Sequence, residues 1–169
     1  MLIIFFFAVR VTAARESGKS GDFQLTRKEK RIINAVFLPM VVSFVYAVFL
    51  PLQLGSTWPY SGLLIYLFGM VFTIFAILNF SSPKGKLITK GLYRFSRNPM
   101  YVGMLLIQIG LGIACASWLY LLLTAVLLVM LNAVLPSEER FTHYRYGDKY
   151  QKYKNSTPRW IGIPKSQKK

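Results

Sequence analysis

The chain has one cysteine, one histidine and only six acidic residues in 169. A single thiol, Cys115, excludes a disulfide framework, and the lone His143 leaves no His/Cys set for a structural zinc. Charge of either sign is absent from four long runs, residues 32 to 54, 60 to 80, 100 to 117 and 119 to 135. Internal repeats, a Gly-rich phosphate loop and a Ser-His-Asp arrangement are absent as well.

What is present is apolar. Hydrophobic residues make up 54% of the chain and aromatics 15%, more than an ordinary soluble domain carries. Spanning about 30 Å of hydrocarbon takes about 20 mostly apolar residues, and the four charge-free runs meet that need. A fifth run, Met1 to Ala14, is shorter and holds Arg10. It could be a signal-peptide core, a truncated first span or an interfacial segment, but its start, "MLIIFFF", lacks the basic residues of a signal peptide and favours a span. The expected fold is all-α: a polytopic membrane protein of about five transmembrane helices, ending in a helical hairpin and a cytoplasmic amphipathic tail.

The 21 Lys and Arg fall into three clusters, Arg10 to Arg31, Lys84 to Arg97 and Arg140 to Lys169, and the connectors "PLQLGSTWPY" and "CASWLY" have none. By the positive-inside rule the three clusters share the cytoplasmic side, which five spans satisfy with the N-terminus outside. Topology and attraction to anionic headgroups account for the net charge of +15 without nucleic acid.

One polar stretch stands out between two apolar runs: "GLYRFSRNPMYVG", residues 91 to 103. Asn98 is a good N-cap and Pro99 suits the first helical position, so a span is expected to begin there. The next span closes with "LPSEERF", bringing Glu138 and Glu139 to the face from which its antiparallel neighbour enters. Arg94, Arg97, Tyr93 and Tyr101 are expected to converge with them. Two acids at a helix C-terminus oppose the macrodipole, which calls for an offsetting partner. Beyond them, Phe141, Tyr144, Tyr150 and Tyr153 form a candidate aromatic helical face, interrupted at Gly147, that either lies on the headgroups or folds back over the hairpin mouth. The linker of residues 79 to 99 is long for a helix connection.

These residues, in this order, resemble the isoprenylcysteine carboxyl methyltransferase and phospholipid methyltransferase family of membrane enzymes. The family pattern is read here as Gly91 and Tyr93, then "RNPMYVG", then Glu138 and Glu139, then "YGDKYQKY" and finally Pro158 and Arg159. The resemblance covers roughly residues 85 to 160. It implies S-adenosylmethionine as cofactor, held by Lys86, Leu87, Ile88, Tyr93, Asn98, Pro99, Met100, Tyr101 and Glu138, with Arg97, Tyr101 and Glu139 as positioning groups and no dedicated catalytic residue. It also implies a division into N-terminal transmembrane helices, 1–84, and a cofactor-binding region, 85–169.

The expected reaction is methyl transfer to a lipophilic acceptor, first of all carboxyl O-methylation of an isoprenylcysteine-type substrate, with phospholipid N-methylation as the alternative. Asn98 stands where the family has histidine, and Val134 where the prenylcysteine enzymes carry a substrate-binding arginine. Membrane sterol reductases, which use NADPH, share a similar layout, but Met100 and Met104 replace their characteristic residues. A non-enzymatic channel or assembly factor would place polar groups inside the spans, where this chain has chiefly Asn79, Gln108 and Asn132.

Overall fold

The computed structural model describes residues 26–52, 55, 57–80 and 87–164. The run Met1 to Ala14 lies outside the described residues. Four long helices and one short one account for most of the rest: α1 Arg27–Val48, α2 Trp58–Phe80, α3 Pro99–Ala114, α4 Trp118–Tyr146 and α5 Asp148–Ser156, with a 3-10 helix at Gly91–Arg94. Three of them, α1, α2 and α4, are long and apolar enough to cross a membrane, and α3 is a shorter apolar helix. The chain is an all-helical integral membrane protein, and four of the five expected spans are helices.

Two helix ends extend well beyond the expected runs. α1 starts at Arg27 rather than at residue 32, because Thr26 and Glu29 form a capping box: Glu29 N–H donates to Thr26 Oγ1 and Thr26 N–H to Glu29 Oε2 at 2.7 Å. Such reciprocal bonds satisfy donors that a helix start would leave orphaned. α4 runs to Tyr146, eleven residues beyond the charge-free run. Glu138 and Glu139 therefore sit inside the helix and not at its C-terminus, and the expected conflict with the macrodipole does not arise. The last turn instead carries His143 and Arg145, the sign that a C-terminus favours. Gly147, at φ 54°, then breaks the helix and lets α5 set off in a new direction.

The most extensive contact joins α2 to α3, followed by α1 with α4 and α3 with α4. Small residues make the α2–α3 approach close. A side chain at Gly62 would strike the Gly110–Ala114 backbone, one at Gly103 would strike Thr73, one at Gly110 would strike Tyr66, and one at Gly69 would lie 2.7 Å from Ile107 N. In lipid, where hydrocarbon gives no drive for apolar helices to associate, close backbone approach through small residues supplies the packing energy. The α3–α4 link is a tight turn: Ser117 N–H closes onto Gly112 O at 2.9 Å, Ala116 takes a left-handed conformation, and the Ser117 side chain caps α4. Cys115 is buried in this turn. A core of Met40, Met104, Leu105, Leu127 and Leu131 joins α1, α3 and α4.

Candidate functional site

The site forms at the end of the bundle where α3 begins, from five pieces of chain: the segment leading to the 3-10 helix, the first turn of α3, the middle of α4, α5, and the tail after it. Gly91 adopts φ 61°, and any side chain there would collide with Asn79, so glycine lets the 3-10 helix settle on the end of α2. This directs Tyr93 inward, where it is buried.

The tail folds back over the start of α3. Arg97 N–H donates to Pro158 O at 3.0 Å, Gly162 N–H to Phe95 O at 3.1 Å, and the Asn98 side-chain amide to Arg159 O at 3.1 Å. Asn98 occupies the N-cap position with Pro99 at the first helical position, as expected, but its side chain makes no capping bond. Its amide is spent on the tail. Trp160 donates to Asn132 Oδ1 at 3.1 Å and packs on the core cluster, so the tail also grips α4.

Glu139 is the electrostatic centre. Its carboxylate accepts from Arg159 Nε at 2.8 Å and Arg159 Nη2 at 3.2 Å, lies 3.1 Å from Arg97 Nη1, and lies 3.5 Å from Lys154 Nζ. The Arg97 and Glu139 side chains are only 9% and 7% exposed. One carboxylate thus faces three cations from α5, the tail and the loop before α3, and ties them to α4. The bidentate hold of Glu139 pushes the Arg159 pKa up. Arg97 Nη1 also reaches the Tyr150 hydroxyl at 3.5 Å. Among the described residues, Arg97 Nε is the buried side-chain atom left without a hydrogen-bond partner.

Glu138 points elsewhere. It accepts a 2.7 Å hydrogen bond from the Tyr101 hydroxyl, joining the middle of α4 to the first turn of α3. On α5, Tyr150 and Tyr153 are buried, whereas Tyr144 of α4 is half exposed. The expected aromatic face is therefore split at Gly147, and only its α5 part covers the site. The Tyr153 hydroxyl donates to Tyr93 O at 2.6 Å. Burial pushes the hydroxyl pKa of Tyr93, Tyr150 and Tyr153 up.

Of the residues expected to hold a cofactor, Tyr101 and Glu138 are hydrogen-bonded, Asn98, Pro99 and Met100 share the start of α3 with Tyr101, Tyr93 is tied to α5 through Tyr153, and Leu87 and Ile88 are half-buried in the segment leading to them. Lys86 lies outside the described residues. The positioning groups Arg97 and Glu139 are in direct contact. Arg94 is exposed, in contrast to its expected convergence with the glutamates. Lys154, Tyr150 and Tyr153 belong to the same network but are absent from the expected site residues. The Tyr-x-x-Tyr spacing was the signal for the tyrosines, and nothing local marks Lys154. Among the described residues no group of His, Cys, Asp and Glu could hold a metal ion.

The donor set is suited to a small zwitterion. Glu138 offers a carboxylate and α3 the N–H groups of a helix start. No match was found among curated proteins. Residues 68–149, from the middle of α2 to the start of α5, match the family model of phospholipid methyltransferase, a stretch that holds both glutamates and the motif at the start of α3.

Proposed function

We propose that the chain is an S-adenosylmethionine-dependent methyltransferase acting on a lipophilic acceptor at the membrane face. The observation that carries this reading is the Tyr101–Glu138 bond, which brings together two family motifs 37 positions apart. Glu138 would hold the cofactor's ammonium or ribose hydroxyls and the N–H groups at the start of α3 its carboxylate, while Tyr93, Leu87, Ile88 and Met100 would line an adenine slot. Lys86 belongs to the same set through the resemblance. Bound there, the cofactor supplies an electrophilic methyl group. The protein's own part is to position the acceptor against it and to exclude water, with residues 85–169 as the cofactor-binding region and the helices before them as membrane anchor. Five spans with the N-terminus outside would put this site in the cytoplasm.

A carboxylate acceptor of the isoprenylcysteine type needs no base and draws support from the cation surplus around Glu139. Amine methylation of a phospholipid is the second reading. It is supported by the family match and by Val134, which is buried and uncharged where a carboxylate acceptor would want an arginine. There Glu138 would attract the ammonium and take the proton it must shed.

Calorimetry of the detergent-purified chain with S-adenosylmethionine and with NADPH tests the class: binding of the first alone is expected, and binding of NADPH alone would overturn the reading. Transfer of radiolabelled methyl groups to S-farnesylcysteine or to phosphatidylethanolamine then decides the acceptor.

A further inference from the structure

A second set of unspent polar groups lies elsewhere in the bundle. α1 and α2 flank a cavity of about 270 Å³ floored by α3, with Met40 and Phe44 on one side, Tyr66 and Met70 on the other, and Gln108 and Tyr120 within. Gln108 is seven residues past Tyr101 along α3, about 10 Å farther from the candidate site. Met40 and Met104, members of the core cluster on which Tyr101 packs, line its near end. The extensive helix contacts are α2–α3, α1–α4 and α3–α4, so the gap between α1 and α2 is a lateral way in from the bilayer.

Gln108 and Tyr120 are 5% and 3% exposed. The Thr124 hydroxyl lies 2.9 Å from Tyr120 O and 3.2 Å from the atom placed as Gln108 Oε1, two acceptors. A hydroxyl has one proton, and the shorter contact takes it. The Gln108 amide is therefore best oriented with its NH₂ donating to Thr124 Oγ1, which frees its carbonyl oxygen. Among the described residues, neither that end of the amide nor the Tyr120 hydroxyl has a hydrogen-bond partner, and neither is sealed from solvent-sized space. The space beside them is the cavity. Unpaired polar groups in an apolar surrounding are costly, and an apolar pocket with a few convergent polar groups is the usual form of a small-molecule site.

We propose that this cavity binds a lipid carrying a hydroxyl group on a hydrocarbon body. The ligand hydroxyl donates to the Gln108 carbonyl and accepts from the Tyr120 hydroxyl, and its hydrocarbon lies along Met40, Phe44, Tyr66 and Met70. A plain acyl chain would satisfy neither polar group. The site stands apart from Tyr101 and Glu138 and is independent of the methyltransferase reading.

The test uses the full chain in detergent micelles with tritiated oleyl alcohol and, as the hydrocarbon of equal length, 1-octadecene. The wild type should prefer the alcohol by about tenfold, the factor that about 1.4 kcal/mol carries. Gln108→Leu and Tyr120→Phe should each remove most of that preference while leaving 1-octadecene binding unchanged. Tyr120→Phe removes a single oxygen and serves if Gln108→Leu does not fold. Equal affinity of the wild type for the two probes, or a preference that survives in the folded variants, would overturn the proposal and leave the cavity a place for bilayer chains.

Discussion

The Tyr101 hydroxyl donates to Glu138 at 2.7 Å, while the neighbouring Glu139 turns to Arg97, Lys154 and Arg159. Adjacent residues on a helix point about 100° apart, so two glutamates that read as a pair in the sequence serve separate networks. Glu138→Gln is expected to weaken binding of S-adenosylmethionine by about 1.5–3 kcal/mol, the range for a hydrogen bond to a charged group, with little change in folding. Calorimetry on the purified variant measures the first and a melting curve the second; undiminished affinity would take Glu138 out of the cofactor site.

Glu139→Gln should have the opposite profile. Removing one partner leaves the buried Arg97 uncompensated, which costs about 3 kcal/mol or more, although Arg159 and Lys154 reach solvent and soften the loss. The melting temperature should drop well below that of Glu138→Gln, and the tail beyond Thr157 should become sensitive to protease. A variant as stable as the wild type would mean that the cluster contributes nothing net.

Asn98 lends itself to a paired comparison. Its amide donates to Arg159 O, so Asn98→Asp loses a donor and sets a carboxylate against a carbonyl, and stability should fall by about 1–3 kcal/mol. Asn98→His retains a ring N–H and should recover much of the loss. If Asn98→Asp melts with the wild type, the tail contact is unimportant.

The close α2–α3 approach predicts that Gly103→Leu, which would drive a side chain into Thr73, separates the helices and lowers the yield of folded protein, whereas the equally apolar change Leu122→Ala on the exposed face of α4 has little effect. Size-exclusion profiles of the two variants in detergent compare them directly.

Alkaline pH tests the tyrosine cover. Burial raises the hydroxyl pKa of Tyr93 and Tyr153 above the ordinary 10.0. Below pH 10 both states are protonated and the full stability remains. Above it the unfolded chain ionises first, so stability falls by about 1.4 kcal/mol per pH unit for each such tyrosine. Melting curves between pH 8 and 11 should show a steeper alkaline loss for the wild type than for Tyr153→Phe, which starts lower by the bond to Tyr93 O; parallel curves would contradict the buried assignment.

The sequence by itself determined the helices and the motifs of the candidate site. Apolar runs long enough to cross a bilayer have little choice but to be helical, because lipid offers backbone groups no other partners, and Pro99 marks where α3 starts. The motifs containing Tyr93, Tyr101 and Glu138 were legible because their spacing along the chain is what the family holds in common. Tertiary structure alone decided which polar group meets which. The periodicity that shows Glu138 and Glu139 as neighbours cannot say that one faces Tyr101 and the other three cations, since that depends on how α4 is rotated against α3 and on where Gly147 redirects α5. Nor could Asn98 be read as a contact for the tail rather than a cap, because its partner, Arg159 O, lies 61 residues away, and only packing at that distance makes the tail's bond available.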